Sequence, residues 1–444
     1  MPTFAIESYG CQMNLAEASS VANLLISRGW SETDVPESAD LVILNTCSVR
    51  ITAETRVAGR IAHYAALKRS RRFTLLVMGC MAERLHAEFR ETFPAVDYAV
   101  GMFERGLFAS IFESIEGGRA FSDEFADGDA ASYVFSELSH REGTFQAFVP
   151  IMNGCNNFCT YCIVPYVRGR EVSRDVSDIL AELDLLADRG VREITLLGQN
   201  VNSYRWVDDA GEPVDFPRLL ERVARRIEER GVIRWVRFMS SHPKDLSNDL
   251  LDVIAREPTL CKLIHLPVQH GSTRILSAMN RRYTREDYVS LVERLRARVP
   301  GATVSTDILV GFPGETEEDL EETLSLIRLV RFDAAYMYHY NPREGTAAFS
   351  LPNRIPDEVK KERLDRVIRL QHAVSAERMR ERVGMTVPVL VESVSRNDSN
   401  ELFGHTEHGD MVVFSGLGDL SLIGGFVNAT LTDLRGRTFR AKIT

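Results

Sequence analysis

The chain has 444 residues, of which 44% are hydrophobic and 26% are charged, and its formal net charge is −10 at pH 7. This length exceeds one ordinary domain and predicts two or three. The composition is typical of a globular protein, and without a run of 18 or more apolar residues we expect no transmembrane helix. An acidic residue, Glu7, precedes any apolar segment of a signal peptide, so we expect a cytoplasmic protein that does not associate with membranes. The negative charge argues mildly against a nucleic-acid partner, although a local basic face is enough to bind phosphates.

The N-terminal part of the chain alternates strand and helix patterns. Strands are predicted at 4–9, 41–45, 75–78 and 99–100, and helices at 17–28 and 52–68. Repeated β-α-β units of this kind predict a parallel sheet with covered faces. An acidic segment rich in glycine and alanine follows. We therefore predict an N-terminal α/β domain over 1–118 and a linker over 119–140.

A second β/α series fills the central part of the chain. Its strands are predicted at 147–152, 193–197, 233–239, 262–267, 303–310 and 335–340. Six such units predict a partial or complete β/α barrel over 141–375, with its active site at the C-terminal ends of the strands. A charged helix over 357–382 is expected to lead away from this barrel. The remainder, 376–444, has short alternating segments such as 387–391, 411–414, 428–432 and 438–443, separated by glycine-rich turns. They predict a small β-barrel, so the fold class is α/β with a C-terminal β-barrel.

The strongest motif is the run CNNFCTYC from Cys155 to Cys162, with Cys159 between them. Three thiolates spaced C-x3-C-x2-C in one loop can hold three irons of a [4Fe–4S] cluster and leave the fourth iron open to a small molecule. A zinc site is an alternative, but zinc usually takes four protein ligands and a second CxxC arm, which the sequence lacks. Three unrelated core cysteines are the remaining alternative.

Three more cysteines lie at the ends of the first three predicted buried strands. Cys11, Cys47 and Cys80 each follow a predicted strand of the parallel sheet. Because parallel strands end at one edge of their sheet, we expect these thiols to converge on a second site with an open iron. Buried structural cysteine is the alternative for each. Cys261 lies among apolar residues and is expected to be a core residue.

These cysteine motifs resemble those of the radical S-adenosylmethionine (SAM) methylthiotransferases. The Cys155 loop is followed by IVP and then by RGRE from Arg168, while GCQMN, NTC and GC surround Cys11, Cys47 and Cys80. The predicted C-terminal barrel is similar to a TRAM domain, which is an RNA-binding module. The resemblance covers essentially the whole chain and implies a metal-ligand role for the two sets of three cysteines.

The string GQNVNSY, which begins at Gly198, is similar to the MiaB-type branch of this family. The resemblance implies a tRNA methylthiotransferase that adds a methylthio group to carbon 2 of N6-isopentenyladenosine beside the anticodon. It implies a 5′-deoxyadenosyl radical mechanism with two SAM molecules and two [4Fe–4S] clusters. The implied partners are that tRNA, an electron donor such as a flavodoxin or ferredoxin, and a sulfur source.

Two alternatives to this function remain open at this point. Sister branches of the family act on threonylcarbamoyladenosine in tRNA or on an aspartate of a ribosomal protein. A non-catalytic iron–sulfur protein for electron transfer or RNA binding is the alternative from another class. The sequence also departs from the family, because His270 stands where the family commonly has serine, and the tail from Val383 has seven acidic and five basic residues.

Polar residues at predicted strand ends are the candidates for contacts with SAM or substrate, and no catalytic residue beyond the cluster cysteines is assigned. They are Gln199, Asn200, Ser240, Gln269, Gly311 and Glu315. Capping of helices is the alternative role for each. For RNA phosphates we consider the basic segments 222–237, 281–282 and 363–382, each of which is otherwise a solvated charged face.

Overall fold

The computed structural model describes residues 1–48, 51–118, 133–415 and 419–444, so residues 119–132 of the predicted linker lie outside the described residues. The chain forms two compact units. The first comprises Met1–Phe158, Cys162–Leu186 and Leu197–Gln199, and the second comprises Cys159–Tyr161, Ala187–Leu196 and Asn200–Thr444. Within the described ranges, no helix combines the length and the apolar character needed to span a membrane.

A five-stranded parallel sheet opens the first unit. Its strands are β1 (Thr3–Tyr9), β2 (Ser31–Glu32), β3 (Leu41–Thr46), β4 (Thr74–Gly79) and β5 (Tyr98–Val100), in the order β2-β1-β3-β4-β5. The helices are α1 (Gln12–Ser27), α2 (Ile51–Leu67), α3 (Cys80–Leu85), α4 (Phe89–Thr92) and α5 (Phe108–Glu116). Successive residues of β3, such as Val42 and Ile43, belong to two separate apolar clusters. Both faces of the sheet are therefore covered, which confirms the predicted parallel α/β architecture.

The first unit continues with β6 (Gln146–Pro150), β7 (Met152–Asn153), α6 (Val164–Val167), β8 (Val172–Ser173) and α7 (Val176–Asp188). Strands β7 and β8 pair in antiparallel orientation. Tyr133, within the predicted linker, is buried, and its hydroxyl accepts a hydrogen bond of 2.8 Å from Arg105. The described end of the linker segment therefore packs against the N-terminal sheet domain.

Parallel strands with helices between them form most of the second unit. The elements are β9 (Glu193–Leu197), β10 (Arg205–Val207), β11 (Pro213–Asp215), α8 (Phe216–Arg230), β12 (Trp235–Phe238), α9 (Asn248–Arg256), β13 (Leu263–His265), α10 (Thr273–Ala278), α11 (Arg285–Arg298), β14 (Thr303–Val310), α12 (Glu317–Val330) and β15 (Ala334–His339). Strand β9 pairs with β12, and β13, β14 and β15 are consecutive parallel neighbours. The alternation confirms the predicted β/α series, with β12 and β13 shorter than expected.

Helix α13 (Asp357–Arg380) packs against β15 and α12. The prediction that it leads away from the β/α series was wrong. Its inward face includes Lys360, Arg363 and Gln371, whose polar ends bond to buried acceptors such as the carbonyls of Tyr340 and Phe332. Because these inward positions are polar, the sequence pattern concealed the buried face of the helix.

The C-terminal part of the second unit is a closed five-stranded barrel. Its strands are β16 (Thr386–Val394), β17 (Glu401–Thr406), β18 (Met411–Ser415), β19 (Phe426–Arg435) and β20 (Thr438–Ile443), in the order β16-β17-β18-β20-β19. Strand β17 escaped prediction because Gly404 and His405 interrupt its apolar alternation. A Cβ on Gly404 would lie 2.2 Å from the Leu390 carbonyl oxygen, so glycine permits this close pairing of β16 and β17. The barrel confirms the predicted C-terminal architecture.

Candidate metal centre and cofactor site

Cys11, Cys47 and Cys80 lie together at one edge of the N-terminal sheet. They follow β1, β3 and β4, which are neighbours in the sheet, so the chain leaves all three strands on the same side. A hydrogen bond from the Cys47 side chain lowers the pKa of Cys11 to about 6, while burial and, to a smaller extent, the nearby Cys11 charge raise the pKa of Cys80. Cys11 is thus within electrostatic reach of both other thiols.

An asparagine pair holds this edge of the sheet in place. Asn14 Nδ2 donates 3.0 Å hydrogen bonds to Asn45 Oδ1 and to the Thr46 carbonyl oxygen, and Asn45 Nδ2 donates to the Asn14 carbonyl oxygen at 2.7 Å. Asn14 Oδ1 also accepts from the Cys11 amide at 3.1 Å, which starts helix α1 earlier than predicted. A Cβ on Gly79 would lie 2.5 Å from the Thr46 carbonyl oxygen, so only glycine fits there. The loops that carry the thiols are fixed by these contacts.

Thiols are the side chains that iron–sulfur clusters take as ligands. Among the described residues, no group of three His, Cys, Asp or Glu side chains is placed to hold one metal ion. In a [4Fe–4S] cluster each cysteine ligates a different iron, which is the arrangement that three thiols on three neighbouring strand ends could serve.

Arg168 lies beside these thiols in the first unit. It is 3% exposed, and its guanidinium donates hydrogen bonds of 3.0 Å to Glu17 Oε1 and 3.1 Å to Asn153 Oδ1. Burial raises the pKa of Cys80, and the nearby Arg168 charge opposes this rise. Burial lowers the pKa of Arg168, but the negative charges of the Cys80 thiolate and the Glu17 carboxylate outweigh that effect and keep the pKa well above its ordinary value. Sequence reasoning assigned Arg168 no role beyond its place in the RGRE string.

The C-x3-C-x2-C motif begins in the first unit, which contains Cys155 and Cys162. The Cys155 amide donates to the Gly169 carbonyl oxygen at 3.1 Å, and Asn157 Nδ2 donates to Cys155 Sγ at 3.4 Å. Gly154 has a φ of +82°, and a Cβ there would lie 2.0 Å from the Arg170 carbonyl oxygen. The RGRE segment therefore forms one wall of the turn that starts the motif.

Apolar packing connects Cys80 with the segment that follows Cys162 within the first unit. Cys80, Ile163 and Val167 belong to one buried cluster, together with Tyr133 and Met102. Ile163 directly follows Cys162, and Val167 directly precedes Arg168. Cys80 is consequently adjacent in space to the segment that leaves the C-x3-C-x2-C motif.

Cys159, in the second unit, has a cationic partner. Arg281 Nη1 donates to Cys159 Sγ at 3.4 Å, while Arg281 Nε donates to the Tyr283 hydroxyl and Nη2 to the Pro267 carbonyl oxygen, both at 2.8 Å. Arg281 is 5% exposed. The sequence hypothesis that Arg281 contacts RNA phosphates was wrong, because its donors are directed into the interior.

The candidate cofactor residues differ in their surroundings. Gln199, in the first unit, accepts from the Gly154 amide at 2.5 Å. In the second unit, Ser240 and Gln269 follow β12 and β13 and both have a φ of +70°, a conformation that non-glycine residues seldom adopt outside constrained sites. Asn200 is buried and bonds to Asp245 Oδ2 at 2.8 Å and to the His242 amide at 3.1 Å. Its amide group thus has internal partners.

Glu315 requires a correction. Its carboxylate has no exposed surface and accepts from the Gly311 amide at 2.6 Å, from Arg363 Nη1 at 2.9 Å and from His270 Nε2 at 3.2 Å. The expected contact of Glu315 with SAM is contradicted, because the residue stabilises the turn after β14 from inside. The Gly311 amide serves the same turn. His270, the departure from the family pattern, is a partner in this internal network.

His242 is a further polar group that sequence reasoning missed. Its Nδ1 accepts from the Lys244 amide at 3.3 Å, so the neutral ring carries its proton on Nε2. Burial and the charges of Arg281, Lys244 and Arg282 lower its pKa to about 2. Within the described part of the chain, Nε2 is buried without a hydrogen-bond partner. An unsatisfied buried N–H of this kind is a donor for a bound ligand.

Several arginines of the proposed phosphate-binding segments belong to internal ion pairs. Arg237 Nε contacts Glu193 Oε2 at 3.1 Å, Arg363 bonds to Glu315, and Arg382 Nη2 contacts Asp410 Oδ1 at 2.8 Å. All have largely buried side chains. The hypothesis that these arginines bind phosphates was therefore wrong.

Comparison with known proteins defines the class. Residues 149–327 match the Radical SAM superfamily, 3–101 match Uncharacterized protein family UPF0004, and 380–444 match the TRAM domain. A radical SAM methyltransferase from Kitasatospora setae, TsrM, has the same fold with a TM-score of 0.58 at 16% identity, over 79% of this chain and 77% of that chain. The β/α series with its C-x3-C-x2-C motif is that of a radical SAM enzyme, a class that uses SAM and [4Fe–4S] clusters.

Full-length relatives narrow this class to one family. A protein of Treponema denticola named tRNA-2-methylthio-N(6)-dimethylallyladenosine synthase is 55% identical over 99% of this chain and 100% of its own length. A protein of the same name from Bacteroides fragilis is 44% identical over 98% of this chain and 94% of its own. The chain belongs to the tRNA-2-methylthio-N(6)-dimethylallyladenosine synthase family.

Proposed function

We propose that this enzyme transfers a methylthio group to carbon 2 of N6-isopentenyladenosine, also called N6-dimethylallyladenosine, in tRNA. Full-length identity of 55% to a relative with that named activity supports this substrate over threonylcarbamoyladenosine or a ribosomal protein. The observation that carries the chemistry is the buried cluster that Cys80 shares with Ile163, the residue directly after Cys162, within the first unit. Sulfur insertion needs both sets close to one substrate atom.

We assign Cys11, Cys47 and Cys80 to one [4Fe–4S] cluster, the auxiliary cluster, and Cys155, Cys159 and Cys162 to the other. Bound there, the clusters and SAM supply a radical hydrogen abstractor and the sulfur that the protein side chains lack. The chain's own contribution is to hold the thiols and to fill the space around them. Gly79 and Gly154, where a side chain would collide with backbone, give the two cysteine loops the compact form that a cluster site requires.

For SAM and the target nucleoside we propose Gln199, Ser240, Gln269 and His242. Ser240 and Gln269 hold their strained backbone at the C-terminal ends of two neighbouring β/α units, where such folds bind ligands. His242 adds an N–H donor in a cationic setting formed by Arg281, Lys244 and Arg282, which suits a carboxylate or another acceptor-rich group. The neutral ring donates this hydrogen bond at physiological pH.

An exposed aromatic group in the first unit is our proposal for part of the RNA contact. Tyr166 is 53% exposed and meets Phe158 edge to face at 6.1 Å, while the Arg170 guanidinium lies 4.3 Å from the centre of the Phe158 ring. Aromatic rings and arginines stack on unpaired loop bases in many RNA-binding proteins. The TRAM domain at the C-terminus adds a second RNA-binding module.

The remaining assignments complete this proposal. The enzyme works in the cytoplasm, where thiols stay reduced, and it receives electrons from a flavodoxin or ferredoxin and sulfur from a separate source. Its domains are 1–118 for the auxiliary cluster, 141–375 for the radical SAM core and 376–444 for the TRAM domain, with 119–140 as the connection.

Nucleoside mass spectrometry of tRNA from a deletion strain tests the substrate. We expect loss of 2-methylthio-N6-isopentenyladenosine and accumulation of N6-isopentenyladenosine, both reversed by the intact gene but not by a Cys11→Ala gene. An unchanged level of the methylthio nucleoside, with loss of methylthiolation on threonylcarbamoyladenosine or a ribosomal protein, would overturn the proposal. A non-catalytic protein would release no 5′-deoxyadenosine from SAM under reducing, anaerobic conditions.

A further inference from the structure

We propose that Arg168, balanced by Glu17, is the built-in countercharge of the auxiliary cluster, and that it sets both the cluster's reduction potential and its affinity for a small sulfur anion such as hydrosulfide or methanethiolate. This inference rests on the proposed cluster at Cys11, Cys47 and Cys80. Arg168 acts through the cluster, so it is a positioning residue.

Arg168 directly follows helix α6, whose residue Val167 packs in the same buried cluster as Cys80. Its ion-pair partner Glu17 lies on helix α1, which begins directly after Cys11. Arg168 is therefore anchored to the elements that carry two of the three thiols.

The Arg168 side chain is held in a fixed position. Asn153 clamps Arg168 from both ends, because its Oδ1 accepts from Nη1 at 3.1 Å and its Nδ2 donates to the Arg168 carbonyl oxygen at 2.9 Å. Glu17 accepts from Nη1 at 3.0 Å. A buried cation with so many fixed partners keeps its charge in one place when a ligand binds.

The buried charges around Arg168 do not cancel. Two guanidiniums, those of Arg168 and Arg105, contact the single carboxylate of Glu17 at 3.0 Å and 3.3 Å. The three groups are almost fully buried and sum to one positive charge. A second buried cation is costly when the only purpose is to neutralise a carboxylate, so the surplus indicates an anionic partner at this place.

The charge of the proposed auxiliary cluster matches this surplus. An oxidised [4Fe–4S] core carries two positive charges and three cysteine thiolates carry three negative ones, which leaves one negative charge to match the surplus. A sulfur anion on the open iron would add another negative charge. Net charge and hydrogen bonds to sulfur set cluster potentials, so the charge of Arg168 favours both reduction and anion binding.

The test uses full-length chain in which Cys155, Cys159 and Cys162 are replaced by alanine, reconstituted anaerobically with iron and sulfide. Three variants are compared in this background. Arg168→Met removes the charge at similar volume, Glu17→Gln adds one net positive charge, and Arg141→Met removes a guanidinium that pairs with Glu32 at the surface. Iron content, the reduction potential from redox titration followed by electron paramagnetic resonance, and binding of hydrosulfide or methanethiol are measured for each.

We expect a lower potential and about tenfold weaker sulfur-anion binding for Arg168→Met, the loss typical of one charge-assisted hydrogen bond. Glu17→Gln should shift both quantities in the opposite direction, and Arg141→Met should change neither. Should Arg168→Met fail to fold, the neutral Arg168→Gln variant replaces it and is expected to lower the potential and weaken anion binding in the same way. Potentials that stay constant, or that move in the same direction for the Arg168 and Glu17 variants, overturn the inference. A background protein without iron would instead overturn the proposed cluster site.

Discussion

The guanidinium of Arg281 donates a hydrogen bond of 3.4 Å to the sulfur of Cys159, and both residues belong to the second unit. Hydrogen bonds to a cluster thiolate stabilise its reduced, more negative state and raise the reduction potential. Arg281 is fixed by Tyr283 and by the Pro267 carbonyl, so the donor is already in place in the folded chain.

Arg281→Met is therefore expected to lower the potential of the radical SAM cluster. We expect a shift of roughly 40 mV, because one hydrogen bond contributes about 1 kcal/mol and 59 mV corresponds to a factor of ten for one electron. A redox titration in a Cys11→Ala background, which removes the auxiliary cluster, measures it. The exposed neighbour Arg282 provides the control, since Arg282→Met should leave the potential unchanged. Equal potentials for the two variants would contradict a role of Arg281 at the cluster.

Replacement of any one cysteine of the first set should halve the iron content. Cys47→Ala is expected to lower iron from about eight to about four per chain, because the remaining set still binds one four-iron cluster. Reductive cleavage of SAM should continue, while methylthiolation stops. Cys261→Ala is the matched control, since this thiol is buried in an apolar cluster with Trp235 and Leu390. Iron near four in the unaltered enzyme would disprove the second cluster.

The unpartnered Nε2–H of His242 predicts a specific effect on SAM binding. His242→Phe keeps a ring but removes the donor, and we expect the Kd for SAM to rise about tenfold with cluster content unchanged. His242→Gln retains an N–H and should recover part of the affinity. Calorimetric titration of the reconstituted enzyme with SAM gives the Kd values, and identical affinity of the Phe variant and the parent would remove His242 from the cofactor site.

The internal role of Glu315 predicts a loss of stability without a loss of cofactor affinity. Glu315→Ala leaves Arg363 and His270 buried without their acceptor, so unfolding should become easier by about 3–5 kcal/mol. Glu317→Ala, at an exposed ion pair with Arg366, should change the free energy of unfolding by no more than about 0.5 kcal/mol. Denaturant unfolding measures both. A stable Glu315→Ala protein with weakened SAM binding would restore the original assignment.

The contact of the C-terminal barrel with strand β9 predicts a pH effect. Burial lowers the pKa of His405, but its hydrogen bonds to Glu193, at 2.8 Å, and to Glu392 outweigh burial and raise the pKa above the ordinary histidine value. The charge of Arg237, which also contacts Glu193, lowers the pKa of His405. The protonated histidine therefore stabilises the fold below the unfolded pKa near 6.5, and this stabilisation is lost as the pH rises through the higher folded pKa.

We expect the free energy of unfolding to fall as the pH rises through the window above about pH 6.5, and the fall to be smaller in His405→Gln. Denaturant unfolding of both proteins at several pH values in this window measures the difference between their free energies of unfolding. Groups that titrate in the same way in both proteins do not contribute to this difference. His63→Gln serves as the control because His63 is exposed. Parallel pH profiles for the parent and His405→Gln would show that the His405 contacts carry no net stabilisation.

The fold was predictable to the extent that its signals are local. Buried strands such as β3 and β14 are continuous apolar runs, and their positions followed directly from the sequence. Strand β17 and the inward face of α13 did not follow, because Gly404, Arg363 and Gln371 are polar or small residues whose burial depends on distant partners. Hydrogen bonds from other elements satisfy those groups, and no window of sequence contains them.

By itself, the sequence determined where the candidate ligands lie: six cysteines in two spaced sets, each tied to a strand end or to one short loop. Spacing along the chain and the parallel β-α-β pattern are enough for that, because strand ends share an edge of the sheet. Only the tertiary structure decided which charges surround the thiols. Arg281 meets Cys159 across 122 residues of chain, and Arg168 meets Glu17 across 151. The burial of these groups, which makes each charge strong, exists only once the elements have packed.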